Sequence, residues 1–175
     1  MPEIQRYAGV LARHANRIAL IRECYEQWNL PPYWSPPSGA VEPGETPPTG
    51  ARRELQEESG LHAPTLHLAW TTRVEVDGTL TSRSWNYLTD VDDPTFAIND
   101  PDNSVLEARW FTYADAIEAL KNMPYPPIAV PAIHYLTNGT QLNWHFTQTN
   151  NTWTWTLTAP ARADAYDGPA VPPRS

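Results

Sequence analysis

Lysine is nearly absent from this chain: Lys121 is the one lysine among 12 basic residues, the rest being arginine, against 20 acidic residues. The resulting formal charge of −8 argues against a polymeric nucleic acid partner, whose phosphates favour basic faces. Cysteine is just as scarce. Cys24 alone cannot close an internal disulfide, and no cysteine cluster offers a zinc site, which agrees with a reducing compartment. No apolar run approaches the ~20 residues needed to span a membrane, and the first residues include Glu3 rather than leading into a signal-type apolar stretch. A cytoplasmic protein with no membrane partner is therefore expected. Charged residues make up 18% of the chain, below the roughly 25% of an average domain. Its 41% hydrophobic and 11% aromatic content is still enough for a buried core. With 175 residues and no internal repeat, one compact domain with a small appendage is expected.

The stretches Arg6–Arg13 and Arg17–Glu23 read as two strands joined by a turn at His14–Asn16, the second carrying the apolar run Ile18–Ile21. Leu30–Glu45 contains Pro31, Pro32, Pro36, Pro37 and Pro43. That density excludes a helix or a central strand and predicts a stiffened loop. Thr46 is a plausible N-cap, Pro47 suits the first helical position and Gly60 supplies a stop, so a helix is predicted over Pro47–Ser59. Leu66–Val76 and Thr79–Val91 flank Asp77-Gly78, a two-residue hairpin signal. Pairing Val76 with Thr79 then sets Trp70 opposite Trp85 and Leu68 opposite Tyr87, with Arg73, Glu75, Ser82, Ser84 and Asn86 on the other face. A short strand at Arg109–Phe111 and helices near Tyr113–Asn122 and Ile128–Thr137 follow.

The chemistry concentrates around the predicted helix. On a 3.6-residue repeat, Glu54, Glu57 and Glu58 stand at i, i+3 and i+4, so three carboxylates converge near its C-terminal half. Like charges at these spacings destabilise a helix, and acids at its C-terminal end oppose the macrodipole, so something positive must compensate. By helical position Arg53 points to a different face from Glu57 and cannot neutralise all three. A hard divalent cation can, and oxygen-only ligation favours Mg²⁺ or Mn²⁺ over Zn²⁺. Mg²⁺ shares its shell with substrate phosphates, which points to a diphosphate ligand. The plain alternative for a bare E-x-x-E-E is a solvated acidic helix face.

The surroundings of those acids change the weighing. Gly39, Glu45, Arg53, Glu54, Glu57, Glu58 and Gly60 match every fixed position of G-x5-E-x7-R-E-U-x-E-E-x-G-U, with U aliphatic. The chain thereby resembles the Nudix (MutT-like) hydrolases, although Pro37-Ser38-Gly39 stands where many relatives have two glycines after the proline. The resemblance implies an α/β fold, an α/β/α sandwich with a mixed central sheet. It implies hydrolysis of a nucleoside diphosphate linked to a further group, with Mg²⁺ or Mn²⁺. Glu54, Glu57, Glu58 and the Gly39 carbonyl would bind metal, and Arg53 would pair with Glu45 to brace the loop on the helix. Glu57 or Glu58 is the favoured base, with Asp100, Asp102 and Glu107 in reserve and Glu107 also a candidate metal ligand. The bare sequence agrees that Gly39 permits close backbone approach and that Pro43-Gly44 suits a turn.

Substrate contacts are less legible. Arg73 is the preferred arginine for terminal phosphates, and Trp34 and Tyr7 are candidate stacking surfaces, though packing is the commoner role for such aromatics. The five histidines are scattered without metal-like spacing. Subfamily signatures downstream of the box are missing, which leaves the substrate open; because the chain is short, a nucleoside triphosphate, ordinary or modified, is the first expectation. ADP-ribose or another nucleotide sugar comes second. A non-catalytic nucleotide-sensing module would be expected to have lost a carboxylate. An isomerase would need a reactive cysteine and a histidine-containing metal site, and Cys24, read as lying on an apolar strand before the loop, is a poor candidate.

Domain boundaries are expected at 1–140 for the hydrolase domain, 141–158 for an appended C-terminal β-hairpin, and 159–175 for a disordered tail. The hairpin turns at Asn150-Asn151. Pairing Thr149 with Thr152 sets Gln148 opposite Trp153, Phe146 opposite Trp155 and Trp144 opposite Leu157, with threonines and His145 on the other face. Such an aromatic face must dock: on the protein's own core, on a second subunit of a homodimer, or over the substrate pocket.

Overall fold

The computed structural model describes residues 3–160, and its architecture follows from a hairpin that comes apart. Strands β1 (Gln5–His14) and β2 (Arg17–Glu23) pair at Arg13↔Ile18 and His14↔Arg17, beside their turn, and then diverge. Two short strands fill the opening. β3 (Tyr33–Ser35) takes the edge of β2 that β1 has left, and β4 (Ser38–Ala40) takes the corresponding edge of β1. The proline-rich segment is therefore a loop interrupted by two three-residue strands, with Pro36 and Pro37 between them, where ladder donors are not needed.

The sheet is mixed, as expected. Its order is β3-β2-β1-β6-β5-β8-β9, with β4 on β1 and β7 (Val105–Phe111) on β2. The pairs β1–β6 and β5–β8 are parallel. Strands β5 (His67–Val76), β6 (Thr79–Asp90), β8 (Leu142–Thr149) and β9 (Thr152–Thr158) complete it. Helix α1 (Pro47–Ser59) packs on one face, over Ala8, Val10, Ala19 and Tyr87. Helices α2 (Tyr113–Leu120) and α3 (Pro126–Asn138) cover the other, over Leu11, Leu20, Trp70 and Leu88. This alternation is what a sheet buried on both faces requires. No helix among the described residues is long and apolar enough to cross a membrane.

The β5–β6 hairpin departs from the expected register. Val76 does pair with Thr79 and Leu68 with Tyr87, but irregularities after Val74 and after Leu68 put Trp70 opposite Asn86 and Thr71 opposite Trp85. One extra residue turns every following side chain to the opposite face. Trp70 accordingly joins the core under α2 and α3, while Trp85 packs on the α1 side. Ser82, Ser84 and Asn86 share the face of Trp70 and Val74, not that of Arg73.

The C-terminal hairpin has the expected register throughout, from Asn143↔Thr158 to Thr149↔Thr152. Asn150 and Asn151 have φ of 49° and 61°, the paired positive values of a type I′ turn. β8 pairs with β5, and Trp144 and Phe146 are buried in the core beneath α3. Docking is thus on the chain's own sheet. Trp155 and Leu157 on the outer strand stay 43% and 47% exposed. The tail expected to be disordered lies, beyond residue 160, outside the described residues.

Two cross-strand partners should therefore differ sharply in weight. Phe146→Ala, at a site with no exposure, is expected to cost about 3–5 kcal/mol in urea unfolding. Trp155→Ala, opposite it, should cost only about 1 kcal/mol. Truncation after Gly139 should leave the β5 edge and the α3 face bare and abolish soluble expression.

Candidate functional site

Helix α1 begins and ends where local chemistry dictates. The Thr46 hydroxyl accepts from Thr49 N, Pro47 opens the first turn and Gly60 closes the helix at φ 77°. The Glu42–Glu45 turn before it closes through Glu45 N to Glu42 O at 3.0 Å. Gly44 in that turn has φ 85°, which a Pro-Gly type II turn demands. The far end of α1 is also held. Ala97 N donates to Ser59 O and Asn99 N to Glu57 O, at 2.9 and 2.8 Å, so the loop before β7 satisfies two terminal carbonyls of the helix.

Arg53 organises the cluster. Its Nε and Nη2 donate to the two oxygens of Glu45 at 2.9 and 3.0 Å. Nη1 donates to Glu54 at 2.7 Å and Glu57 at 3.1 Å, and Nη2 also to the Ala40 carbonyl at 2.8 Å. The expectation that Arg53 points away from Glu57 is corrected here. Cα positions on the helix differ, but a guanidinium on three methylenes reaches one turn on, at i+4. Paired with Arg53, the Glu45 carboxyl is held below its ordinary range.

Glu58 faces the opposite problem. It is 4% exposed and accepts from Ser38 N at 2.8 Å. Its carboxyl is pushed up to about 10, first by burial and then by the charges of Glu23 and Glu54. Glu54 is likewise raised, mainly by burial and against the pull of Arg53. Its carboxylate occupies the space a Cβ would need at Gly39, so any larger residue there would displace Glu54 from its present position.

These observations bear on a metal. The donors are all oxygen, the buried carboxylates outnumber the one guanidinium among them, and β4 approaches without a side chain. That set fits a hard divalent cation, which Glu54, Glu57, Glu58 and the Gly39 carbonyl would hold. Among the described residues no three His, Cys, Asp or Glu side chains form a ready metal cage, and Nη1 of Arg53 bonds both Glu54 and Glu57.

Other candidates are dispersed. Glu107 is not with the box acids: Arg22 and Arg109 hold its two oxygens at 3.2 and 2.6 Å. It also points to the face of β7 opposite Trp110, which packs on the α1 side. Asp100 is a loop brace, accepting from the backbone of Asp102, Ser104 and Val105 at 2.7–3.0 Å. Asp102 is near enough to act on the Glu54 carboxyl. Trp34 packs edge-on against Phe111 at 4.8 Å, with the Arg109 guanidinium over its ring. Arg73 lies on β5 beside Glu75 and opposite Arg83. Tyr7 is 40% exposed and pairs with Ala40, next to Gly39.

Sequence reasoning missed Glu23. It is 5% exposed and accepts from Ser35 Oγ at 2.6 Å and Tyr25 Oη at 2.9 Å. Burial raises its carboxyl as it does that of Glu58. An acid closing the apolar run Ile18–Ile21 was the available signal.

The wall beside the cluster is polar on the α2–α3 face of β5 and β6. Asn86 donates to Ser84 Oγ at 3.1 Å, and a Cβ at Gly9 would strike Asn86 Oδ1. Trp70 Nε1 and Thr72 Oγ1 are buried without a hydrogen-bond partner among the described residues. Tyr125, 37% exposed, packs edge-on against Trp153, and Tyr7 and Ser82 are near enough to act on its hydroxyl.

Comparison with known proteins agrees with this geometry. No curated protein matches the chain significantly. Among solved structures, a mutator MutT protein from Bacillus halodurans superposes with a TM-score of 0.63 at 16% identity, covering 88% of this chain and 97% of that one. A Nudix hydrolase from Nitrosomonas europaea gives 0.59 at 19% identity, covering 77% and 71%. A second from the same organism gives 0.60 at 17%, covering 75% and 89%. At these identities the superpositions establish the fold. The Nudix domain model matches residues 3–132, about three-quarters of the sequence, and the chain therefore belongs to the Nudix hydrolase family.

Proposed function

We propose that this chain hydrolyses the phosphoanhydride linkage of a nucleoside diphosphate joined to a further group, with Mg²⁺ or Mn²⁺, and that a nucleoside triphosphate is its first substrate class. The observation that carries the reading is the grouping of Glu45, Arg53, Glu54 and Glu57 around one guanidinium beside buried Glu58. A bound divalent cation supplies polarisation of phosphoryl oxygens and a water of lowered pKa. The chain supplies the rest. Glu54, Glu58 and the Gly39 carbonyl hold the ion, and Arg53 keeps loop and helix in register through Glu45. Glu57 is the favoured proton acceptor, because Arg53 engages its Oε2 and its Oε1 accepts no hydrogen bond among the described residues. Glu58, lacking solvent, suits ligation better than proton traffic.

The polar wall favours a nucleoside over a bare phosphate chain. Tyr7 and Tyr125 present half-exposed rings beside Ser82, Ser84 and Asn86, a combination of stacking surface and hydrogen-bonding groups suited to a base.

A phosphate-release screen over nucleoside triphosphates, dinucleotides and nucleotide sugars, with either ion, tests class and substrate together. Glu57→Gln should lower kcat by ~10²–10⁴-fold without lowering Tm, and Tyr7→Ala should raise KM with little change in kcat. Full turnover by Glu57→Gln, or turnover in excess chelator, overturns the proposal.

Stability should respond to pH in a defined direction. An unfolded chain ionises Glu58 near its ordinary 4.5, whereas the fold keeps the proton to about 10. Between those values the folded state binds the extra proton, so in chelator Tm should fall as pH rises through neutrality. Millimolar Mg²⁺ or Mn²⁺ should flatten that slope by binding the ionised form. Glu58→Gln should flatten it with no metal present.

A further inference from the structure

The strand register assembles a row of basic side chains, none of which pairs with a box carboxylate among the described residues. Arg6 of β1 stands opposite Arg83 of β6, Arg83 opposite Arg73 of β5, and Arg73 opposite His145 of β8. Directly paired residues project to the same face of a sheet, and like charges so placed repel. Three guanidiniums and an imidazole thus share one rung in a chain of net charge −8.

Compensation within the rung is incomplete. Glu75 pairs with Arg73, and its carboxylate is also 3.2 Å from His145 Nε2. Arg6 lies over the Trp85 ring at 5.6 Å. Arg83 is exposed and makes no hydrogen bond or ion pair among the described residues. Glu75 is the one carboxylate on the paired positions of this face across β5, β6 and β8. Helix α1 covers this face over β1 and β6 and stops short of it here, leaving a groove of about 420 Å³ lined by Arg73, Arg83, His145, Thr71, Asn143 and Thr156.

We propose that this groove is a second anion site, which binds the phosphate chain of a polyphosphate-bearing molecule and shares no residue with the metal-box cluster. Guanidinium forks match phosphate oxygens in pairs, which makes arginine rather than lysine the residue for this task. From Arg83 to His145, the basic residues that line the groove, the rung crosses two strand spacings, ~10 Å. A single phosphate covers only part of that length, and a chain of three or more matches it. Asn143 and Thr156 add neutral donors along the groove wall. A nucleic acid strand is the poorer fit: the overall charge opposes it, and Arg6 already occupies the ring of Trp85 that would stack a base.

The test is calorimetric titration of the full chain with inorganic tripolyphosphate in excess chelator, where binding is read without turnover. One saturable site weakened by salt is expected. Arg83→Ala and Arg73→Ala should each weaken it at least ten-fold, Arg83→Lys should restore part of the loss, and Arg22→Ala, at an exposed ion pair on the other face, should leave it unchanged. Orthophosphate should bind more weakly than tripolyphosphate. A nucleoside triphosphate bound equally well would assign recognition to the phosphate chain alone, and one bound more tightly would add the nucleoside to the same site. Thermal melts establish that each variant folds. No binding at millimolar tripolyphosphate, or binding that survives Arg83→Ala or falls equally in Arg22→Ala, overturns the site. None of these outcomes depends on the hydrolase activity.

Discussion

A single guanidinium with no spare donor sets the geometry of this protein's working end. Five N–H groups leave the Arg53 side chain, and five acceptors meet them: both oxygens of Glu45, one each of Glu54 and Glu57, and the carbonyl of Ala40. Those partners come from a turn, a helix and a short strand, which the guanidinium ties together. A lysine presents three donors from one nitrogen and cannot hold a planar array of this kind. The glycine at position 39 and the left-handed Gly44 are the backbone terms of the same constraint, since each lets the chain pass where a side chain would collide or strain.

The other face of the problem is charge. Glu58, Glu54 and Glu23 are buried together and their carboxyls are all raised by loss of water. Burying like charges is unfavourable unless a cation relieves it, and among the described residues Arg53, the cation bonded to this cluster, is committed to its rim. Family membership and local electrostatics therefore point the same way, from independent premises. The fold supplies the enclosure: β1 and β2 separate, β3 and β4 line the gap, and α1 closes one side.

How much was legible depended on whether a feature was local. Helix α1 and both its ends could be read because Thr46, Pro47 and Gly60 each act within a turn of their own position. The register of β8–β9 was legible because nothing interrupts the alternation between the Asn150-Asn151 turn and Asn143. The same reasoning misplaced Trp70 against Trp85, since bulges after Val74 and Leu68 leave no mark in composition. Counting helical positions misjudged Arg53 because it tracked Cα directions and ignored side-chain length. Glu107 looked equivalent to the box acids on chemistry, and only the pairing of β2 with β7 shows it bound to Arg22 and Arg109. Glu23 carried no motif at all; its significance comes from Ser35 and Tyr25, 12 and 2 residues away in sequence.

The loop that crosses the end of α1 has a dynamic consequence. Ala97 and Asn99 donate their backbone N–H groups to Ser59 and Glu57, so the last helical turn and this loop share hydrogen bonds that neither can keep alone. Segments linked in this way open cooperatively, and their amides exchange with solvent as one unit. The carboxylates of Glu57 and Glu58 ride on that unit, as does Asp102 through the loop's own Asp100 bracing. Breathing of a surface loop is thereby transmitted to the spacing of acidic groups, and anything that draws those groups together would quiet the loop in return.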